Sequence, residues 1–236
     1  MTITHHWDLI QHTDEWRAAR CGLLTASEME LIITPAKLQV ANNDKSRNHI
    51  NELAAQRINK YVEPTWFGAD MERGIIDEID AKALYRKHYA AVKDCGFITN
   101  DEWGFTLGYS PDGLVEVQLG VVELPGQIEV KSRAQKYQMD TILNNQMPSD
   151  FLLQVQTGML VTGNIWCDFI SYCSGMPMNT IRVHADKTVQ DAILAAADVF
   201  HKLLQARLQA YLDCLLDKSR RLIPTERKII EGELHE

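Results

Sequence analysis

Cysteine is sparse and unpaired in this sequence. The five residues Cys21, Cys95, Cys167, Cys173 and Cys214 are odd in number and include no Cys-x-x-Cys pair. That argues against a zinc ribbon, a four-cysteine cluster or a disulfide framework, and predicts buried free thiols. Seven prolines and thirteen glycines are too few for a long disordered linker. No apolar run approaches the roughly 18 residues of a membrane span. The opening stretch Met1–Trp7 lacks the charged and apolar regions of a secretory signal, so a cytoplasmic protein is expected. Neither a His-Glu-x-x-His helix nor a phosphate loop of the Gly-x-x-x-x-Gly-Lys type occurs, which disfavours zinc hydrolysis and ATP-driven motion. The histidines are scattered, with His5, His6 and His12 in an N-terminal stretch expected to be loose.

An excess of basic residues is missing as well. The net charge is −8 and the pI near 5.5, an unusual balance for a nucleic-acid binder. A nuclease, however, needs carboxylates for its metals, and a local basic surface can guide a phosphate backbone on an acidic protein. Such groups exist at Lys131-Arg133-Lys136, at Lys218-Arg220-Arg221 and at Arg227-Lys228. Overall charge therefore decides nothing.

With 236 residues and 45% apolar content, one domain with a proper core is expected over 1–236, with a C-terminal helical segment at about 188–236. Helical spacing is read over 14–20, over 50–61 and from Gly68 to His88. It recurs over 134–143, after Pro148 through Leu160, and in a long amphipathic segment opened by a capping box of Thr188 and Asp191. A further start lies at Thr25 or Ser27, each with a glutamate three residues on. Residues 94–131 hold short β-branched and aromatic runs divided by Asn-Asp, Pro-Asp-Gly and Pro-Gly turns, which predicts an antiparallel meander. Strands are also predicted over 165–172 and 179–184. The order implies an α/β fold, a mixed central β-sheet flanked by helices.

The chemistry concentrates at two points. Pro111-Asp112-Gly113 is a turn that presents a short carboxylate at the mouth of a strand. Glu129-Val130-Lys131 lies in the next apolar run, where alternation puts Glu129 and Lys131 on one face and Val130 in the core. Two carboxylates and an ammonium are then gathered where a hard divalent cation and a phosphate can meet.

Five segments, in order, resemble the phage-type alkaline exonucleases, the group of bacteriophage lambda exonuclease and the YqaJ-like recombinase nucleases within the PD-(D/E)xK superfamily. They are Glu15–Arg20 with Gly22–Glu28, then Gly68–Glu72, Ser110–Leu114, Ile128–Lys131, and Gln154-Val155-Gln156 with Met159 and Val161-Thr162. The resemblance implies a restriction-endonuclease-like core. It implies a Mg²⁺-dependent exonuclease that degrades one strand of duplex DNA from a 5′ end, releases mononucleotides and leaves 3′ single-stranded tails for recombination. It also implies a homotrimeric ring around the DNA, working beside a single-strand-annealing protein in the bacterial host cell. Two Mg²⁺ ions about 4 Å apart are expected, with Mn²⁺ as a substitute.

Mapped onto this sequence, the resemblance makes Asp112, Glu129 and the main-chain carbonyl of Val130 metal ligands, with Glu72 completing the set. Lys131 orients the attacking water, Gln154 (in preference to Gln156) contacts water or phosphate, and Arg20 with Ser27 holds the terminal 5′-phosphate. Trp66 and Phe67 are considered as a wedge for the end base pair, with core aromatics the preferred reading. The pair Ser132-Arg133 departs from the family pattern. A PD-(D/E)xK endonuclease and a non-catalytic DNA-binding protein on the same fold are the alternatives.

Overall fold

The computed structural model of the chain describes residues 2–64, 68–116 and 125–227. Trp66, Phe67 and Lys228 lie outside the described residues. The strands form two mixed sheets. The first has the order β1-β6-β7-β2, from β1 (Ile3–His6), β2 (Leu24–Thr25), β6 (Phe97–Asn100) and β7 (Leu107–Tyr109). The second has the order β11-β10-β9-β8-β5, from β5 (Val92–Lys93), β8 (Gly113–Val115), β9 (Gly126–Ser132), β10 (Trp166–Tyr172) and β11 (Asn179–His184). A two-stranded ribbon, β3 (Ile33–Thr34) with β4 (Gln39–Val40), stands apart. The helices are α1 (Asp14–Arg20), α2 (Asp44–Asn59), α3 (Ala69–His88), α4 (Gln135–Asn144), α5 (Leu152–Thr162) and α6 (Lys187–Leu216). Among the described residues no helix is long and apolar enough to cross a membrane.

The expected meander is divided between the two sheets. β6 pairs with β7 in the first, β8 pairs with β9 in the second, and the chain crosses over at Ser110-Pro111-Asp112. Proline has no N–H for a ladder, so pairing stops there and Asp112 is left at the seam. From β9 the chain returns through α4 and α5 to β10, which lies parallel to β9, as a helical crossover requires.

β9 is two-faced. Ile128 and Val130 join Ala81 and Tyr85 of α3 in a buried cluster with Trp166, Ile170 and Tyr172. The alternate residues Gln127, Glu129 and Lys131 point the other way, as strand periodicity demands. A larger core packs α2, α5 and α6 against the first sheet around Ile98, Leu107, Leu153, Phe200 and Leu204. Cys95, Cys167 and Cys173 are buried, and all five thiols are free.

Three expectations are corrected. The N-terminus is not loose: Ile3 to His6 pairs with Phe97 to Asn100, an edge ladder that the polar sequence Thr4-His5-His6 does not advertise. Thr25 caps a short 3-10 turn, Ala26–Leu31, and not an α-helix; Glu28 accepts from the Thr25 N–H at 2.9 Å and from its hydroxyl at 2.7 Å. α6 is capped by Asp186 and not by Thr188. The Asp186 carboxylate accepts from the Thr188 N–H at 2.8 Å and the Val189 N–H at 3.3 Å, while Asp191 pairs with Lys187 at 2.7 Å. A carboxylate at the helix start takes up orphan N–H groups and meets the positive end of the dipole.

Candidate active site

An open cleft of about 410 Å³ lies at the seam of the two sheets. Asp112, Glu129, Val130, Lys131 and Gln154 line one side; Arg20 and Ser27 line another, and Glu78 of α3 closes it. Residues from α1, the Thr25 turn, α3, the crossover, β9 and α5 thus share one cavity.

Asp112 is anchored by the strand it faces: its Oδ2 accepts from the Val130 N–H at 2.6 Å. Glu129 is almost completely buried, at 1% exposure. Its Oε2 accepts from the Tyr109 hydroxyl at 2.8 Å. Its Oε1 meets the Lys131 ammonium at 2.8 Å and accepts from the Gln154 amide. An ionisable group this deep is tolerated because every oxygen has a donor.

Burial pushes the Asp112 carboxyl well above the usual carboxylate range, and the charges of Glu129 and Glu78 add to the push; Lys131 and the Val130 N–H oppose it. Lys131 is held above its ordinary value: burial works against its charge, but Glu129 and Asp112 outweigh that.

The donor set fits a hard cation that keeps part of its water shell. Among the described residues no three His, Cys, Asp or Glu side chains close into a ready-made cage. What the cleft offers is the carboxylates of Asp112 and Glu129 and the strand beside them, with Glu78 and Asp70 of α3 also on the lining, all oxygen ligands of the kind magnesium takes together with waters. Asp112, held above its range by burial and then by neighbouring negative charge, is a carboxyl that such a cation would ionise.

The opposite wall is built around Arg20. Its guanidinium donates to Ser110 Oγ at 3.0 Å and Thr25 Oγ1 at 3.1 Å and stacks over the Trp16 ring at 4.4 Å. Trp16 in turn donates through Nε1 to Ser110 Oγ at 2.9 Å and to the Gly96 carbonyl at 3.1 Å. Burial lowers the Arg20 pKa, and Glu28 partly restores it; a guanidinium remains charged regardless. Ser27 is exposed beside it, with its Oγ 3.3 Å from Thr25 Oγ1. Gln11, in the N-terminal stretch, donates to the Pro111 carbonyl at 2.8 Å and braces the Pro-Asp-Gly turn.

Glu72 is not brought to the cleft. It is exposed in the first turn of α3 and absent from the lining, whereas Asp70 and Glu78 of the same helix lie within it. Six residues at 100° each turn a helix through 600°, so Glu72 and Glu78 point about 120° apart, and only one can face β9. Sequence reading favoured Glu72 because it follows the Gly68-Ala69-Asp70 match; no local signal separates the acidic residues of this helix. Gln154 faces the cleft and Gln156 does not: Gln156 is buried on the far side, bonded to the His184 carbonyl and the Asp186 N–H, each at 2.9 Å. Ser132 continues β9, opposite Tyr172, and ties to α3 by donating to Asp77 and accepting from Arg73. Arg133 then leaves the sheet and stacks near Tyr137 and Phe151. Sequence reading assigns no role to Tyr109, Trp16, Ser110 or Glu78, although Trp16 and Ser110 lie within the matched segments and Tyr109 directly precedes one of them.

Comparison with known proteins agrees with this architecture. Residues 15–164 match the model of the YqaJ-like viral recombinase domain. The crystal structure of an alkaline exonuclease, LHK-Exo, from Laribacter hongkongensis is 28% identical, with a TM-score of 0.73 over 88% of this chain and 100% of that one. LHK-Exo in complex with dAMP is 29% identical, with a TM-score of 0.74 and the same coverage. A phage-related exonuclease from Haemophilus somnus 129PT, 14% identical, has a TM-score of 0.53 over 79% of this chain and 96% of its own, and shares the fold. No curated protein sequence matches.

Proposed function

This chain belongs to the YqaJ-like viral recombinase domain family, as a phage-type alkaline exonuclease with a restriction-endonuclease-like fold, and from that premise we propose how it cuts DNA. It is a DNA exonuclease acting with Mg²⁺, in the 5′-to-3′ direction on duplex ends, releasing 5′-mononucleotides and leaving 3′ single-stranded tails for a single-strand-annealing protein. The observation that carries this reading is the shared cleft: Asp112, Glu129 and Lys131 face the same cavity as Arg20 and Ser27. The mononucleotide dAMP bound to LHK-Exo supports single-nucleotide release.

Asp112, Glu129 and the Val130 carbonyl would hold the cation, with Glu78, in place of Glu72, as the acidic residue from α3. When bound, divalent ions would supply charge neutralisation for an in-line displacement at phosphorus and lower the pKa of the attacking water. Lys131 donates toward the cleft and offsets developing negative charge on the phosphate. Gln154 keeps the Glu129 carboxylate in place and offers an amide to water or phosphate. Arg20, locked by Ser110, Thr25 and Trp16, supplies a planar fork for a terminal 5′-phosphate, with the Ser27 hydroxyl beside it. Phosphate capture at that wall sets the register at one nucleotide per cut.

A homotrimeric ring in the cytoplasm of the bacterial host is the assembly we propose, since a closed ring retains DNA between cuts. One assay tests the activity: linear and covalently closed duplex, with Mg²⁺ or EDTA, followed by product sizing. Mononucleotides from linear DNA alone, in Mg²⁺ alone, are expected. Internal cutting of the closed circle would mean an endonuclease.

A further inference from the structure

Behind Glu129 a buried polar chain runs away from the cleft. Gln127, fully buried on the same face of β9, has two partners at its amide oxygen: Thr162 Oγ1 at 2.8 Å and the Asn164 amide at 3.3 Å. The Asn164 amide is the donor on that side, since the one Thr162 proton is shared with the Gly158 carbonyl at 2.9 Å; the Gln127 nitrogen is thereby turned toward Tyr109 and donates to the phenol oxygen at 3.2 Å. The Tyr109 oxygen is thereby used as an acceptor, and its single proton goes to Glu129 Oε2 at 2.8 Å. The relay has one direction, set at Asn164 and delivered at Glu129.

α5 makes room for it. Gln154, Gly158 and Thr162 recur every four residues and share a helix face. A Cβ at Gly158 would lie 2.6 Å from Gln127 Nε2 and 2.8 Å from Tyr109 Cζ, so any side chain there displaces both. The glycine is a notch that seats the relay against the helix.

We propose that Tyr109 and Gln127 are positioning residues for DNA cleavage. By committing Glu129 Oε2 inward, they leave Oε1, the oxygen that meets the Lys131 ammonium and the Gln154 amide, as the single oxygen this residue presents to a divalent cation in the cleft. The inference rests on the reading of Glu129 as a metal ligand. Tyr109→Phe removes the inward donor and leaves the carboxylate free to rotate. Gln127→Glu reverses the relay, because a carboxylate cannot donate and draws the Tyr109 proton away from Glu129.

The test is Mn²⁺ binding followed by electron paramagnetic resonance on the full chain, for wild type, Tyr109→Phe and Gln127→Glu, with circular dichroism to verify folding. Outer-shell partners of metal ligands change affinity or activity by about 10- to 100-fold. The Mn²⁺ dissociation constant should rise by that factor in both variants, and kcat on linear duplex should fall while KM for DNA holds. Folded variants with wild-type Mn²⁺ affinity and kcat overturn the proposal and leave the metal site standing. If Tyr109→Phe does not fold, Gln127→Glu decides alone. Loss of folding in both makes the network structural and overturns the positioning role. Absence of Mn²⁺ binding by the wild type removes the metal-site reading itself.

Discussion

At Asp112 the needs of chemistry and of stability pull in opposite directions. Burial and the charges of Glu129 and Glu78 raise its pKa well above the ordinary range, so the metal-free fold favours the protonated acid. Stability from that preference is fully present below the unfolded-state value and is lost as pH rises through the raised folded value. Asp112→Asn should therefore melt higher than wild type in EDTA at pH 8, by roughly 2–4 °C for each kcal/mol relieved, while digesting no DNA. A lower melting temperature for the variant would contradict this electrostatic account. The affinity for Mg²⁺ should fall on acidification at a pH above the ordinary carboxylate range, because the cation must displace the Asp112 proton. Lys131→Ala should also abolish digestion of linear duplex without unfolding the chain, as judged by circular dichroism; full activity would remove Lys131 from its role. Arg20→Ala should weaken the preference for 5′-phosphorylated over 5′-hydroxyl ends in a competition digest, because the planar fork is lost while the cleavage residues remain.

Among the elements, α3 and β9 matter most, because their mutual packing decides which acid reaches the cleft. Beyond the apolar cluster of Ile128, Val130 and Ala81, α3 is fixed by Tyr85. The Tyr85 hydroxyl donates to buried Asp168 at 2.7 Å, and Arg182 donates to the same carboxylate at 2.8 and 3.0 Å. Burial first, then Asp168, raises the Tyr85 pKa, so the phenol stays a donor throughout the working pH range. Asp168→Ala would strand that hydroxyl. The cost expected in urea unfolding is about 2–3 kcal/mol, short of the ~3–5 for a fully buried pair because the Arg182 side chain is 39% exposed. α3 is also the element whose rotation sequence reading leaves open. Glu72 and Glu78 are equally plausible on a helix with acids at 70, 72, 77, 78 and 80, and only the docking of Ala81 and Tyr85 on β9 fixes the rotation. α5 was more legible: strand alternation pairs Glu129 with Lys131, and spacing of four pairs Gln154 with Gly158 and Thr162, so the facing surfaces follow once both elements are known.

For the whole molecule, the acidic balance of −8 coexists with a basic rim where β9 leaves the sheet, at Lys131, Arg133 and Lys136. Assembly is the property that the single chain leaves to measurement. Sedimentation equilibrium should give three times the 26.9 kDa protomer mass, and a monomer at assay concentrations would remove the ring from the proposed function.

Taken alone, the sequence determined the α/β class, the order of the main helices and strands, and the ordered motif set with Asp112, Glu129 and Lys131 at its centre. These depend on local periodicity, turn chemistry and spacing, all of which are written into neighbouring residues. Tertiary structure decided the division of the meander into two sheets, the strand pairing of residues 3–6, the placement of Glu78 and not Glu72 on the cleft, and the Tyr109–Gln127 chain behind Glu129. Each is set by contacts between segments distant in sequence, where a helix's rotation or a strand's partner depends on what packs against it.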